Sequence, residues 1–340
     1  MTTPVPDLDY TATVVRPRWD QLPLDVRRAV GAAAGARVEH AADPVTSGFS
    51  GGFAAVLRLA DGRRVFAKAG SSANPHLLSA YAQEAVVLSA LPREVPAPRL
   101  VGSASLREGQ ADERAWRVVV TEVAPGRMPH PWTETDLAAV HDACVASAAA
   151  LTPAPAAMEL PGMPEDYGRE PETLGCFAAL AAGELPLTSR QPAWVMDRLP
   201  ELQALVDGSA AHLSGGTANH CDLRADNVLV DGARALFVDW NWLCVGPPWT
   251  DFVGVLPLAR ADGVDVDVWL ARSELTRGVD PESVDAWLAA VAAYMLSNAD
   301  QPVWPGGTPT VRIHQRRYAR TFLDWLGERR GWADSPTSRG

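Results

Sequence analysis

The sequence has no run of about eighteen apolar residues, so a bilayer-spanning helix is not expected. Its N-terminus, Met1 to Tyr10, lacks the basic-then-apolar pattern of a secretory leader, which points to the cytoplasm. Cysteine is scarce. Cys144, Cys176, Cys221 and Cys244 are scattered, without metal-ligand spacing and without a small secreted scaffold to staple, and they read as free thiols. Positive charge is short as well: the formal net charge is -11 and the pI near 5.1. An acidic chain disfavours binding to a nucleic-acid backbone and is compatible with a cationic substrate, although acidity alone often serves only solubility. Lysine is almost missing. Of the 30 basic residues 29 are arginine, and Lys68 is the sole lysine. The arginine bias reads as base composition, but a position that keeps a compact ammonium where a wide planar guanidinium is the norm singles itself out.

What is present is organised around His220 to Asp251. The phrase His220-Cys-Asp222-Leu-Arg224-Ala-Asp-Asn227 is a short polar loop. Behind it come an apolar run, Val228 to Val230, an Asp231-Gly232 turn, a second apolar run, Ala235 to Val238, and then Asp239. Two such runs around Asp-Gly predict a tight hairpin, which brings Asn227 at the entrance of one strand close to Asp239 at the exit of the other. An amide and a carboxylate so placed are hard oxygen donors for Mg²⁺, which completes its octahedron with water and substrate phosphates. Asp222 is left to orient a hydroxyl nucleophile and accept its proton. The bland alternative is a surface hairpin with incidental polar residues.

These residues resemble the catalytic loop and metal-binding aspartate of the protein-kinase-like superfamily, H-x-D-x-x-x-x-N followed by an aspartate about a dozen residues on. Asp239-Trp240 in place of Asp-Phe-Gly makes the segment more similar to the aminoglycoside phosphotransferase family of small-molecule kinases. The resemblance implies an α+β, two-lobed protein-kinase-like fold: a small N-lobe of antiparallel sheet plus helix, and a larger, mainly helical C-lobe. It implies a cation, Arg224, on the transferred phosphoryl group. His220 would hold the loop through the backbone rather than act as base. Asp251 would brace the loop from below, and a simple helix N-cap is an equally good reading of it.

The first part of the chain fits this frame. Leu24 to Ala34 has helical spacing and Gly35 to stop it. Val45 to Phe53 is rich in glycine and hydroxyls, between segments that read as strands, with an Asp61-Gly62 turn further on. Glycines let a backbone approach phosphates, and Ser47 or Ser50 could donate to them; alone, the stretch is equally an ordinary hairpin tip. On the strand Arg64 to Ala69, Phe66 and Lys68 share one side. In the following helix, about His76 to Leu91, Glu84 sits inside the apolar stripe of Leu77, Tyr81, Leu88 and Leu91. A buried carboxylate needs a partner, and Lys68 is the natural one. The family resemblance implies the same pair, with Lys68 on the α and β phosphates and Glu84 holding it. Pro96 and Pro98 enforce an extended segment, and 103–115 reads as an exposed turn. Trp116 to Val123 reads as a strand ended by Pro125-Gly126; in a two-lobed kinase the backbone at Glu122 and Val123 would meet the purine.

We place the lobe boundary near Ala124, giving a nucleotide-binding lobe over 1–124 and a catalytic and acceptor-binding lobe over 125–340. Residues up to Arg18 and beyond Ala333 read as loosely ordered. Trp240, Trp242 and Trp249 line an acceptor pocket or fill core. The expected reaction moves the γ-phosphoryl of ATP or GTP, with Mg²⁺, to a hydroxyl of a small molecule. Acceptors open to it include an aminoglycoside, a nucleoside antibiotic, an amino alcohol, a sugar or a biosynthetic intermediate. Neither nucleic acid nor membrane is an expected partner. Two rivals remain. One is a pseudokinase that binds nucleotide without turnover. The other is a dinucleotide-dependent oxidoreductase suggested by Gly48-x-x-Gly51-Gly52, although a strand rather than a helix follows those glycines.

Overall fold

Four-residue steps decide the first element. Val26, Val30 and Ala34 lie on one face of α1 (Leu24–Ala34) and are buried, and Gly35 closes the helix at φ 74°, a backbone state that suits glycine. The computed structural model describes residues 8–110, 112–167, 171–187 and 191–333. The expected looseness of residues 1–7 and of the tail after residue 333 lies outside them.

The apolar face of α1 covers a five-stranded antiparallel sheet made of β1 (Val38–Ala41), β2 (Phe53–Leu59), β3 (Arg64–Ser71), β4 (Leu100–Leu106) and β5 (Trp116–Glu122), in the order β1-β2-β3-β5-β4. Strand alternation sends Val65, Ala67 and Ala69 of β3 into that core and turns Phe66 and Lys68 to the other face. On this second face lies α2 (Pro75–Ala90), started by Asn74, whose side-chain oxygen accepts from Leu77 N at 3.1 Å. The helix buries Leu77, Tyr81, Glu84, Val87 and Leu88, and ends before Pro92. One expectation is corrected here. Residues 103–106 are strand, not turn, because Ser103 to Leu106 continue the register opposite Val119 to Trp116.

After β5 the chain enters a mainly helical region: α3 (Glu134–Ala150), the short α4 (Met163–Tyr167) and α5 (Pro171–Leu174), α6 (Cys176–Ala182), α7 (Leu199–His212), α8 (Thr250–Ala261), α9 (Val266–Arg272), α10 (Pro281–Asn298) and α11 (Thr310–Arg329). Their core holds Phe177, Phe237, Trp240, Phe252, Phe322 and Trp325, all but excluded from solvent. Set into it are two small ladders, β6 (Thr217–Asn219) with β9 (Cys244–Gly246), and the hairpin of β7 (Val228–Asp231) with β8 (Arg234–Phe237). The hairpin register pairs Val228 with Phe237 and Asp231 with Arg234, around Gly232 at φ 60°. This is the two-lobed kinase-like architecture expected from the motifs.

Residues 8–18 depart from the expectation of loose order. Thr13 N and Val14 N donate to Thr46 O at 2.9 and 3.0 Å, and Thr310 Oγ1 in α11 donates to Thr13 O at 2.8 Å. Each of these bonds ends on a main-chain oxygen, which leaves no trace in side-chain pattern.

Where the chain leaves β5, Arg127 exchanges both backbone bonds with Val230 of β7, at 3.0 and 2.8 Å. Gly126 next to it sits at φ 108°, and a Cβ there would meet Val230 O at 2.7 Å. Gly126→Ala is therefore expected to lower stability by roughly 2 kcal/mol or more, from the left-handed backbone plus the overlap. Urea titration checks this, and an unchanged midpoint would contradict the account.

Candidate functional site

The catalytic loop runs from β6 to β7 and is held by its neighbours before any ligand is considered. Asp251, in the first turn of α8, accepts from His220 N at 2.7 Å and Cys221 N at 2.9 Å. The N-cap of α8 is Trp249, so Asp251 braces the loop and does not cap its helix. His220 is buried; burial, only partly offset by the Asp251 charge, lowers its pKa and favours the neutral ring. Its Nε2 pairs with Val238 O at 2.9 Å, and its Nδ1 accepts from Asp222 N at 3.3 Å. With both nitrogens turned to backbone, it is a latch.

Asp222 is surrounded by donors. Arg224 Nη1 reaches both of its carboxylate oxygens at 2.5 Å, and Asn227 Nδ2 reaches Oδ2 at 2.9 Å and the main-chain oxygen at 2.8 Å. Burial drives its pKa up against the pull of Arg224, with Asp226 and Asp239 adding to the rise, and the result is about 6. Arg224 is itself fixed by Asp226, Nε to Oδ1 at 2.7 Å, and lies 5.2 Å from the Phe49 ring centroid.

Lys68 joins the sheet to this region. Its ammonium donates to Glu84 at 2.8 and 3.0 Å and to Asp239 Oδ1 at 2.7 Å. Burial alone would lower its pKa; Asp239 and Glu84 reverse that and hold it well above the usual lysine range. Burial pushes Asp239 the opposite way, but Lys68 brings its pKa down to about 2. The backbone of Asp239 sits at φ 69°, and Asn241 Nδ2 donates to its Oδ1 at 3.0 Å.

These bonds leave Asn227 Oδ1 and Asp239 Oδ2 as hard oxygens without a hydrogen-bond donor among the described residues. Asn241 Oδ1 is a third, buried and without a partner. Such a donor set fits Mg²⁺. No group of three or more His, Cys, Asp or Glu among the described residues is placed to hold a metal.

One cavity of about 910 Å³ is lined by Lys68, Glu84, Asp222, Arg224, Asn227, Asp239 and Asn241. On its sheet side lie Ser47, Ser50, Val56, Phe66, Leu88, Glu122 and Val123. Glu122 N is spent on Arg99 O at 2.9 Å and its carbonyl already accepts from Thr121 Oγ1 at 3.0 Å, so the second lone pair of that carbonyl and the Val123 backbone are what a purine could use. Trp249 is core and does not line the cavity; Trp240 is buried at its wall, and Trp242 is exposed at its edge. On the helical side are Trp287, Val291, Tyr294 and Asn298 of α10 and Val311, His314, Gln315 and Tyr318 of α11. Neither face is marked by a motif in the sequence. Their three- and four-residue steps are the available signal. Arg16 and Phe49 carry no motif either.

Among the described residues no helix is long and apolar enough to cross a membrane. No curated protein matches the chain significantly. Solved structures do match in fold. A thermostable mutant of aminoglycoside phosphotransferase APH(4)-Ia in its apo form is 16% identical, with a TM-score of 0.55 over 91% of this chain and 100% of that one. The same enzyme in a ternary complex with ADP and hygromycin B gives 16% and 0.54 over 90% and 98%. Spectinomycin phosphotransferase APH(9)-Ia, in complex with ADP and spectinomycin, gives 12% and 0.53, again over 90% and 98%. The family model described as the phosphotransferase enzyme family, APH, matches residues 45–294. That match spans the glycine-rich loop, the Lys68 pair and the whole catalytic hairpin, and the chain belongs to the APH phosphotransferase enzyme family.

Proposed function

We propose that the protein transfers the γ-phosphoryl group of ATP or GTP to a hydroxyl of a small molecule, an antibiotic or a biosynthetic intermediate. The observation that carries this reading is the Lys68 ammonium, 2.7 Å from Asp239 and 2.8 Å from Glu84, in the wall of the cavity that Asp222 also faces. The lobe boundary near Ala124 fits the same reading, with the nucleotide between 1–124 and 125–340. Fold relatives solved with ADP and hygromycin B or spectinomycin support a nucleotide and a small acceptor here too.

In this reading Lys68 grips the α and β phosphates and Glu84 keeps it in place. Ser47 and Ser50 of the glycine-rich loop face the phosphates, and Glu122 and Val123 offer backbone to the base. Asn227 and Asp239 would hold Mg²⁺, which when bound supplies charge neutralisation between the phosphate oxygens. The acceptor oxygen forms its bond to the γ phosphorus while the bridging β–γ oxygen leaves with the diphosphate. The acceptor proton passes to Asp222. A loose phosphoryl transition state asks the protein chiefly for position and charge, which fixed groups supply. Arg224 now caps Asp222; an incoming hydroxyl displaces its Nη1, which turns to the transferring oxygens while Nε keeps Asp226.

The broad test is a screen of hydroxylated antibiotics and metabolites with ATP and GTP, read by diphosphate release and by a mass gain of one phosphate. Nucleotide binding with no phosphorylated product across the screen would favour the pseudokinase. Asp222→Asn is expected to leave nucleotide binding intact and to cut turnover by roughly 10²-fold or more. The pH profile follows from the raised pKa. Asp222 must be ionised to take a proton, so kcat/KM should be flat above about pH 7 and fall with unit slope below about 6. A profile still flat at pH 5 would remove Asp222 as the base. Lys68→Arg should weaken nucleotide binding on the order of tenfold, because a guanidinium fork cannot occupy the compact space between two carboxylates. Isothermal titration with ATP and Mg²⁺ checks it.

A further inference from the structure

We propose that Arg16 is a positioning residue for the triphosphate. Lying outside the sheet and ahead of α1, it holds the glycine-rich loop by its main chain and lines the same cavity as Lys68. The proposal rests on the phosphotransferase reading above and adds a residue that the family match, which begins at residue 45, does not reach.

The half-buried Arg16 guanidinium gathers four carbonyl oxygens of the loop. Nε donates to Val45 O at 3.1 Å, Nη1 to Ser50 O at 2.5 Å and Gly52 O at 2.9 Å, and Nη2 to Ser47 O at 2.9 Å. In a trans peptide the N–H points opposite its C=O. Each carbonyl drawn onto the guanidinium therefore turns the next amide to the far side. Gly51 N is used on Gly306 O at 3.0 Å, and Phe53 opens β2, which leaves the Thr46 and Gly48 amides as the donors this arrangement presents. Gly48 stands at φ 90°, and a Cβ there would approach Arg16 Nη2 at 3.0 Å, so the tight packing depends on glycine. Carbonyl oxygens repel a triphosphate. Collecting four of them around one cation offsets that repulsion and places a fixed positive charge at the loop, in the wall of the cavity.

The segment that carries Arg16 is anchored at both ends. Thr13 Oγ1 donates to Gly48 O at 2.5 Å and Thr46 Oγ1 to Thr11 O at 2.5 Å. On the helical side Tyr10 OH shares a hydrogen bond with His314 Nδ1 at 3.0 Å, and Thr310 holds Thr13 O. At the tip of the loop, the Phe49 ring lies 4.8 Å from the His314 ring and against Arg224. Residues 8–16 thus form a strap from α11 to the loop. The loop is ordered before nucleotide arrives, and the ordering entropy is not charged to binding.

The test is ATP binding with Mg²⁺ by calorimetry on the full chain, Arg16→Ala and Arg16→Lys, together with KM for ATP and for the acceptor. Arg16→Ala should raise the ATP dissociation constant and KM on the order of tenfold with the acceptor KM unchanged. Arg16→Lys should recover only part, since one ammonium cannot serve four carbonyls. Added methylguanidinium should restore affinity to Arg16→Ala and do nothing to the unaltered chain, a rescue that general loss of structure would not show. ATP affinity of Arg16→Ala equal to that of the unaltered protein overturns the proposal. If the unaltered protein binds no triphosphate, the phosphotransferase reading falls and this one with it. Should Arg16→Ala fail to fold, amide hydrogen exchange on the unaltered protein decides. Slow exchange at residues 46–52 without nucleotide supports the strap, and exchange as fast as in an exposed loop refutes it.

Discussion

A single buried ammonium ties the molecule together. Lys68 stands on β3, Glu84 on the helix α2 that follows it, and Asp239 after β8, 171 residues along the chain from Lys68. Removing an amine from water costs several kcal/mol unless carboxylates surround it, and removing one partner of a buried pair typically costs about 3–5 kcal/mol. Lys68 therefore fixes the helix against the sheet and the sheet against the hairpin. The electrostatics carry a further consequence. Lys68 and Arg224 are two cations, while Glu84, Asp222, Asp226 and Asp239 are four carboxylates held within their hydrogen-bonding reach. An excess of two negative charges beside a cavity is the complement of a divalent cation, and in the proposed reaction a magnesium-bound triphosphate supplies it.

The catalytic loop shows how such charges are kept in geometry. Cys221 and Asp239 both have left-handed backbones, at φ 64° and 69°, a state that costs a non-glycine residue about 1–2 kcal/mol. Fixed partners hold both. Asp251 binds the amide of Cys221, and Lys68 with Asn241 binds the side chain of Asp239. His220, made neutral by burial, spans from Asp222 N to Val238 O and so links the two strained points across the hairpin. The strain sits where Asp222 and Asp239 must be aimed, consistent with preorganisation rather than with accident.

Legibility in the sequence divides along the same physical line. The hairpin was readable because its signals are local: an Asp-Gly turn between two apolar runs fixes the register that sets Asn227 near Asp239. Glu84 was readable because a charge inside a helical apolar stripe demands a partner, and only one lysine exists to supply it. Asp251 stood open between cap and brace, since both put an acid in the first helical turn and only the backbone donors at His220 and Cys221 separate them. Arg16 could not be read. Its four partners are main-chain oxygens about 30 residues away, which no side-chain pattern encodes, and a polar, proline-bearing N-terminus looks loose until the surface it covers is known.

The resting arrangement of Asp222 also bears on how the site can work. With Arg224 and Asn227 donating to it, the carboxylate is satisfied before any acceptor is present, yet burial still leaves its pKa near 6. In the proposed reaction a carboxylate so poised is ionised at neutral pH and still basic enough to gain a proton as the new bond forms. Arg224 cannot drift far when it yields, because Asp226 holds its Nε and the Phe49 ring lies over its plane. Phe49 belongs to the glycine-rich loop and Arg224 to the catalytic loop. The contact between them ties the position of the glycine-rich loop to that of the Arg224 guanidinium.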